Sequence, residues 1–123
     1  MINSHGGDAE YYKGLDSHLW AVYHGDFDKL AVTAHLVSPE LDKGDVVIKR
    51  DMNLDNVKSI GELRLENMRV CTSIIVDVLQ EIGGNSTISH RKQQDTYARY
   101  YSFMPAVLKS ICVKKFNKFI TYR

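Results

Sequence analysis

Cysteine and proline are scarce in this chain, two of each among 123 residues. Two cysteines without a CxxC pair leave no disulfide framework and no thiolate cluster for zinc. Cys71 and Cys112 each stand alone inside an apolar helical pattern. That pattern reads as buried free thiols in a reducing compartment, so the expected location is cytoplasmic. Long apolar runs are missing as well: none approaches the roughly 18 residues of a membrane span, and no leader-like segment precedes the first residues. Neither sign of charge dominates, with 16 Lys and Arg against 15 Asp and Glu and a net charge of +1. No global field therefore draws the chain to nucleic acid or to a membrane surface. His18, His24 and His35, with Asp8 or Asp26, show neither the i, i+4 spacing of a helical zinc site nor an HExxH, and no metal site is read.

What is present is an ordinary globular composition, 44% hydrophobic and 25% charged, in a length that suits one domain over residues 1–123. Residues 1–14 read as a short strand end followed by a glycine-punctuated loop. Asp16 or Ser17 then caps a short helix through Tyr23, and Gly25 ends it. "KLAVTAHLV" alternates Leu30, Val32, Ala34 and Leu36 against Ala31, Thr33, His35 and Val37, the pattern of a strand covered on both faces. "DVVIKR" is its antiparallel partner across the loop "SPELDKG". The run from Asp55 to Gly84 predicts a helix with an apolar stripe of Ile60, Leu63, Met68, Cys71, Ile75, Val78, Leu79 and Ile82, stopped by Gly83-Gly84. A polar stretch follows from Asn85 to Thr96, with one edge strand around Thr87–His90. Pro105 opens a last helix whose stripe is Val107, Leu108, Ile111, Cys112, Phe116, Phe119 and Ile120, with Lys109, Lys114, Lys115 and Lys118 on the solvated side. Met52, Met68 and Met104 read as core fillers, and the aromatics of "YARYYSFMP" as anchors.

The candidate chemistry begins at "NSH". Asn3 and His5 are spaced i, i+2, which on an extended segment puts both side chains on one face. An amide donor beside an imidazole suits acyl transfer, the amide for an oxyanion and the imidazole for a proton. A carboxylate from another loop would orient the imidazole or take the proton of an attacking amine. Asp42, in the tight "ELDKG" turn, is the natural supplier, with Asp45 as the alternative. Each motif alone is ordinary turn chemistry.

Together they carry a resemblance. "INSHGGDAEYYKGLDSHLWAVYHGDFDKLAVTAHLVSPELDKGDVV" resembles the catalytic region of the 10-formyltetrahydrofolate-dependent formyltransferases. Those proteins place Asn-x-His at a strand end, then a Tyr-basic-Gly loop, a helix, and a hairpin whose turn reads acidic-Leu/Ile-Asp-x-Gly. The counterparts here are Asn3-Ser4-His5, Tyr12-Lys13-Gly14 and Glu40-Leu41-Asp42-Lys43-Gly44. The sugar-nucleotide branch looks nearest. The resemblance implies an α/β fold, a partial Rossmann-like formyltransferase sheet with an antiparallel hairpin and flanking helices. It implies formyl transfer from 10-formyltetrahydrofolate to a primary amine, that of an amino-sugar nucleotide, as a small-molecule acceptor. Asn3, His5 and Asp42 would be catalytic. The turn residues Val37, Glu40, Leu41 and Asp42 would lie against the folate, Tyr11, Tyr12 and Lys13 would face the acceptor, and His35 would support the site from behind.

Two departures accompany the resemblance. Ala9-Glu10 stands where the family carries Leu-Pro, and Lys13 where it carries Arg. Only Met1 and Ile2 precede Asn3, so the likeness is to the C-terminal half of the fold, without the Rossmann-like half that comes before it. A sheet cut at that point expects self-association or a partner chain. Two alternatives stand beside the enzyme: an inactive remnant or interaction module of the same family, and a small nucleic-acid-binding protein using the basic last helix.

Overall fold

The computed structural model describes residues 1–85 and 87–123. In chain order the elements are β1 (Ile2–His5), β2 (Tyr12–Gly14), α1 (Ser17–His24), a short 3-10 turn (Phe27–Lys29), β3 (Ala31–Leu36), β4 (Val46–Asp51), α2 (Ile60–Asn85), β5 (Arg99–Tyr101) and α3 (Ala106–Tyr122). β3 is the centre of a three-stranded antiparallel sheet ordered β1-β3-β4, and β2 pairs in parallel with β5 beside it. The fold is the expected α/β type, a small antiparallel sheet flanked by helices. No helix among the described residues is long and apolar enough to cross a membrane.

β3 is buried from Ala31 to His35, as its two apolar faces require. α2 covers one face of the sheet, with Leu63, Val70, Ile74 and Val78 turned inward. α1 and α3 pack on each other, closing Leu19 and Val22 against Cys112 and Phe116. Full burial of side chains such as Val32, Ile74 and Phe116 contributes roughly 1.5–3 kcal/mol each.

Several expectations are corrected. Met68, Ile75, Leu79 and Ile82 are exposed, Met68 by 60%, so Met68 fills no core. The apolar arc of α2 is broader than the sheet can cover, and the buried line is the one facing β3 and β4. Beyond that line, Ile75, Leu79 and Ile82 join Met1 and Ile2 around an apolar cavity of about 390 Å³ beside β1, whose outer edge carries no strand among the described residues. Gly83 and Gly84 sit inside α2 rather than past it; a glycine pair costs helix stability but does not forbid the last turn. α2 starts at Ile60, where the Ser59 hydroxyl accepts the Glu62 N–H at 3.2 Å. Thr87–His90 forms no strand. The pairing comes one residue later, as a single antiparallel bridge between Val46 and Arg91.

Asp16 occupies the N-cap of α1 but makes no capping bond, since its carboxylate accepts the Met104 N–H at 2.9 Å. In α3, Cys112 and Phe116 are buried while Val107 and Ile111 face outward. Cys112 is a buried free thiol, whereas Cys71 is only half-buried. Of the aromatic segment, Tyr101 is the anchor, stacked between Tyr12 and Trp20 at 5.3 and 5.1 Å, while Tyr97, Tyr100 and Phe103 remain exposed.

Candidate active site

Strand pairing brings the site together. Asn3 lies directly opposite His35 in the β1–β3 register and His5 opposite Thr33, so Asn3, His5 and His35 share one face of the sheet. A bulge between Ala34 and His35 shifts β3 against β4 at this point. The β3–β4 turn then returns Asp42 over the same face. Asp42 adopts a left-handed backbone (φ 55°), a conformation that Asp tolerates better than most residues.

The Asp42 carboxylate lies between two imidazoles. Its Oδ2 is 3.5 Å from His5 Nδ1, and its Oδ1 is 3.4 Å from His35 Nε2. Oδ2 also accepts the Gly14 N–H at 2.8 Å. Burial alone would raise the carboxyl pKa, but the His35 contact, the Gly14 N–H and the two nearby rings together hold it below the ordinary value. Asp42 is therefore ionised at neutral pH. The carboxylate in turn raises the pKa of His35, against the cost of burial. For His5, burial dominates and lowers the pKa, keeping that ring neutral.

The rings are fixed by backbone acceptors. His5 Nε2–H donates to the Tyr12 carbonyl at 2.7 Å, with the Ser17 hydroxyl 3.2 Å from the same nitrogen. A neutral His5 therefore presents a bare Nδ1 toward Asp42. His35 Nδ1–H donates to the Leu36 carbonyl at 2.9 Å, which leaves Nε2 facing both Asp42 and the Asn3 amide, 3.5 Å away. When charged, His35 donates from Nε2 to Asp42. When neutral, the same nitrogen accepts from the Asn3 N–H. Asn3 itself is exposed at the rim, with His5 and Asp42 only 7% and 5% exposed behind it. An exposed amide donor backed by a buried carboxylate–imidazole pair can bind a developing oxyanion and take up a proton.

The remaining sequence-predicted residues divide into two groups. Val37 and Leu41, on the turn, are 51% and 62% exposed, and Glu40 is exposed beside them. Tyr11 is half-buried with the Lys29 ammonium 4.0 Å from its ring centre. Tyr12 and Lys13, expected at the acceptor side, instead turn inward. The Tyr12 hydroxyl donates to Asp26 with His24 alongside, because its ring fills the stack with Tyr101. Lys13 is buried and donates to the carbonyls of Ala9 at 2.8 Å and Asp42 at 2.7 Å, and to the Gln93 amide oxygen. Its cation is consumed in tying the loop to the turn. The segment from Arg91 to Tyr101, which runs from the predicted polar stretch into the predicted aromatic anchors, forms a third wall. Glu10 holds it through Arg91 and the Gln94 N–H, and Tyr100 donates to the Leu41 carbonyl at 2.7 Å. Neither Gln93 nor Ser17 carries a sequence signal for its position, since both roles depend on long-range packing.

The fold thus gathers an exposed amide, a buried carboxylate and two imidazoles on one face of a small antiparallel sheet. No protein-family model matches the sequence. Among curated proteins, the chain is 26% identical to the methionyl-tRNA formyltransferase of Ruminiclostridium cellulolyticum over 117 residues, 95% of this chain and 36% of that protein. It is 29% identical to that of Ehrlichia canis over 97 residues, 79% of this chain and 32% of that protein. The chain thus spans about a third of the length of the curated relatives it matches. Among solved structures, it superposes in full on 49% of an N-formyltransferase from Helicobacter canadensis, solved with folinic acid and dTDP-3-aminofucose, with a TM-score of 0.72 and 16% identity. A sugar 3N-formyltransferase solved with dTDP and 5-N-formyl-THF matches at a TM-score of 0.71 and 22% identity, over 83% of this chain and 36% of that one. The fold is that of the solved formyltransferases, and the sequence is similar to methionyl-tRNA formyltransferases over about a third of their length.

Proposed function

We propose that the chain contributes the catalytic face of a formyltransferase, moving a formyl group from 10-formyltetrahydrofolate to a primary amine. The observation that carries this reading is the convergence of Asn3, His5, His35 and Asp42 from β1, β3 and the β3–β4 turn. The folate supplies the activated formyl carbon. The exposed apolar side chains of Val37 and Leu41 beside Asp42 offer a ledge for a flat ring, so the turn suits that ligand. Asn3 donates to the formyl oxygen as charge builds on it. Asp42, ionised at rest, receives the proton released when the amine nitrogen bonds the formyl carbon, and the Asp42–His35 pair returns a proton to the folate nitrogen as the bond between that nitrogen and the formyl carbon breaks. His5, neutral and anchored through Nε2–H on the Tyr12 carbonyl, leaves its unprotonated Nδ1 facing the carboxylate, where it can accept a hydrogen bond once Asp42 has taken up the proton.

The acceptor is the amine of an amino-sugar nucleotide, a reading that the ligands of the solved neighbours favour. A formylatable aminoacyl-tRNA is the second reading, favoured by the names of the curated relatives. The open edge of β1 and the apolar cavity beside it suit a second copy or a partner chain that completes the sheet.

Calorimetry with 5-formyltetrahydrofolate, followed by formyl-transfer assays on both acceptor classes, tests the proposal. Asp42→Asn is expected to lower turnover by about 10²–10⁴-fold while the fold stands. Undiminished turnover in Asp42→Asn would overturn the catalytic assignment. A folded chain that neither binds the folate nor transfers formyl, alone or with a sheet-completing partner, would leave the inactive-module reading.

A further inference from the structure

Asp42 holds its carboxylate between two histidines while its backbone stays in the left-handed region, and the turn that carries it is otherwise exposed at Glu40, Leu41 and Lys43. Something other than the turn must hold it there. Three buried contacts meet on that turn. Gln93 donates from its amide nitrogen to the Asp42 carbonyl at 2.8 Å and to the Gly44 carbonyl at 2.7 Å. Its amide oxygen accepts from Lys13 Nζ, and Lys13 donates in turn to the same Asp42 carbonyl at 2.7 Å. Both N–H groups and the oxygen of Gln93 are therefore used, in a side chain only 7% exposed overall. Lys13 completes its set on the Ala9 carbonyl, with Asp95 3.5 Å away.

We infer that Gln93 is a positioning residue of the site, pinning the Asp42 turn so that its carboxylate meets both imidazoles and the Gly14 N–H. The inference rests on the formyl-transfer reading for its functional meaning, though its geometry does not. Gln93 lies about fifty residues from Asp42 in sequence, on a segment that supplies no group to the reacting atoms. It acts through Asp42, and no other side-chain type of this length offers two donors and one acceptor in one plane. Glutamate would keep the Lys13 contact and lose both donors to the turn. Methionine would lose all three contacts without adding charge.

The test compares wild type, Gln93→Met and Gln93→Glu by NMR, reading the Gly14 amide proton and the titration of the His35 ring. The groups facing His35 are Asp42, Asn3, His5 across the shared carboxylate, and the more distant Lys13 cation. In Gln93→Met the Gly14 amide is expected to lose its downfield shift and its dependence on Asp42 ionisation. The His35 midpoint is expected to fall toward the ordinary 6.5 as Asp42 moves away. Where wild type is active, turnover is expected to fall at least tenfold with little change in the folate KM. Should Gln93→Met fail to fold, Gln93→Glu carries the same amide readout. Its added charge alone would push the His35 midpoint up, so a fall there still reports displacement. A folded variant with lower thermal stability but an unmoved Gly14 amide and His35 midpoint would overturn the inference, since a merely structural role predicts that pattern. Moved reporters in a wild type without formyl transfer would keep the positioning role and count against the proposed function.

Discussion

His18 should limit the acid tolerance of this protein. It lies on α1, and its Nε2 is buried without a hydrogen-bond partner among the described residues. Burial, and then the positive charge of Arg64, lower its pKa from 6.5 to about 4, with Asp16 opposing. The folded state keeps the ring neutral, whereas the unfolded chain takes up a proton below about pH 6.5. The contribution to stability is therefore intact above pH 6.5 and is lost as pH falls toward 4. At about 1.4 kcal/mol per pH unit the loss is about 2 kcal/mol at pH 5 and about 3 kcal/mol once both states are protonated. His18→Leu removes the titration. Urea unfolding of both proteins at pH 7.5 and pH 5 should show wild type losing about 2 kcal/mol more than the variant. The other histidines are common to both proteins, so their contributions cancel in the difference. Parallel pH dependence in the two proteins would refute this account, as would a His18 NMR midpoint near 6.5 in the folded state.

Two further substitutions test the frame around the site. Glu10 accepts a forked pair from Arg91 at 2.9 and 2.7 Å and a bond from Lys49 at 2.9 Å. Chiefly for that reason, its carboxyl sits at about 2, below its ordinary 4.5. Glu10→Gln is expected to cost about 3 kcal/mol in urea unfolding at pH 7. The wild-type protein should lose that stabilisation as pH falls through 4.5 toward 2, a range separate from the histidine window. Gly44 closes the β3–β4 turn with its α-carbon against the Leu36 carbonyl, and an added Cβ would stand 1.6 Å from that oxygen. Gly44→Ala is expected to cost about 3 kcal/mol or more and to broaden the NMR signals of the turn. An alanine variant with wild-type stability would mean that the hairpin closes differently.

What sequence reasoning could reach here follows the range of the forces involved. The β3–β4 hairpin is legible because alternation and a short polar turn are local, and Gly25 ends α1 through local backbone geometry, its N–H bonding the Val22 carbonyl at 3.0 Å. Pro105 likewise stands directly before the first residue of α3. The β2–β5 pairing is not legible. Each strand has three residues, and they meet across more than eighty positions, so the signal lies in packing and not in pattern. Gly14 makes the point, with φ at 93° and a Cβ position 2.3 Å from the Tyr101 carbonyl, a contact no inspection of "YKG" discloses. The misread stripe of α2 has another cause. Apolar residues occupy two adjoining lines of that helix, and only the position of the sheet decides which is buried. Asn3, His5 and Asp42 could be paired on paper through family motifs, but Lys13 shows the limit of that route: the motif marks the residue, and burial decides its work.

The way Asp42 and His5 are held bears on whether this part of the fold can form a site at all. β1 has four residues and, among the described residues, a single neighbouring strand, so sheet pairing alone would let its tip fray. His5 does not depend on that pairing, because its ring bonds the Tyr12 carbonyl and touches Ser17 on α1. Asp42 does not depend on it either, being fixed by Gly14, Lys13 and Gln93. Both groups are anchored from the β2–β5 side, away from the apolar cavity that borders Ile2, Ser4, Ile75 and Leu79. Covering the β1 edge would therefore bury apolar surface and add stability without having to rearrange the carboxylate and its two imidazoles. Asn3 is the exception: its amide sits exposed on the strand with, among the described residues, only His35 within reach, so it gains most from a partner against β1. Under the proposed function, the groups assigned to proton handling are held by this chain's own contacts, whereas the proposed oxyanion donor waits on whatever steadies its strand.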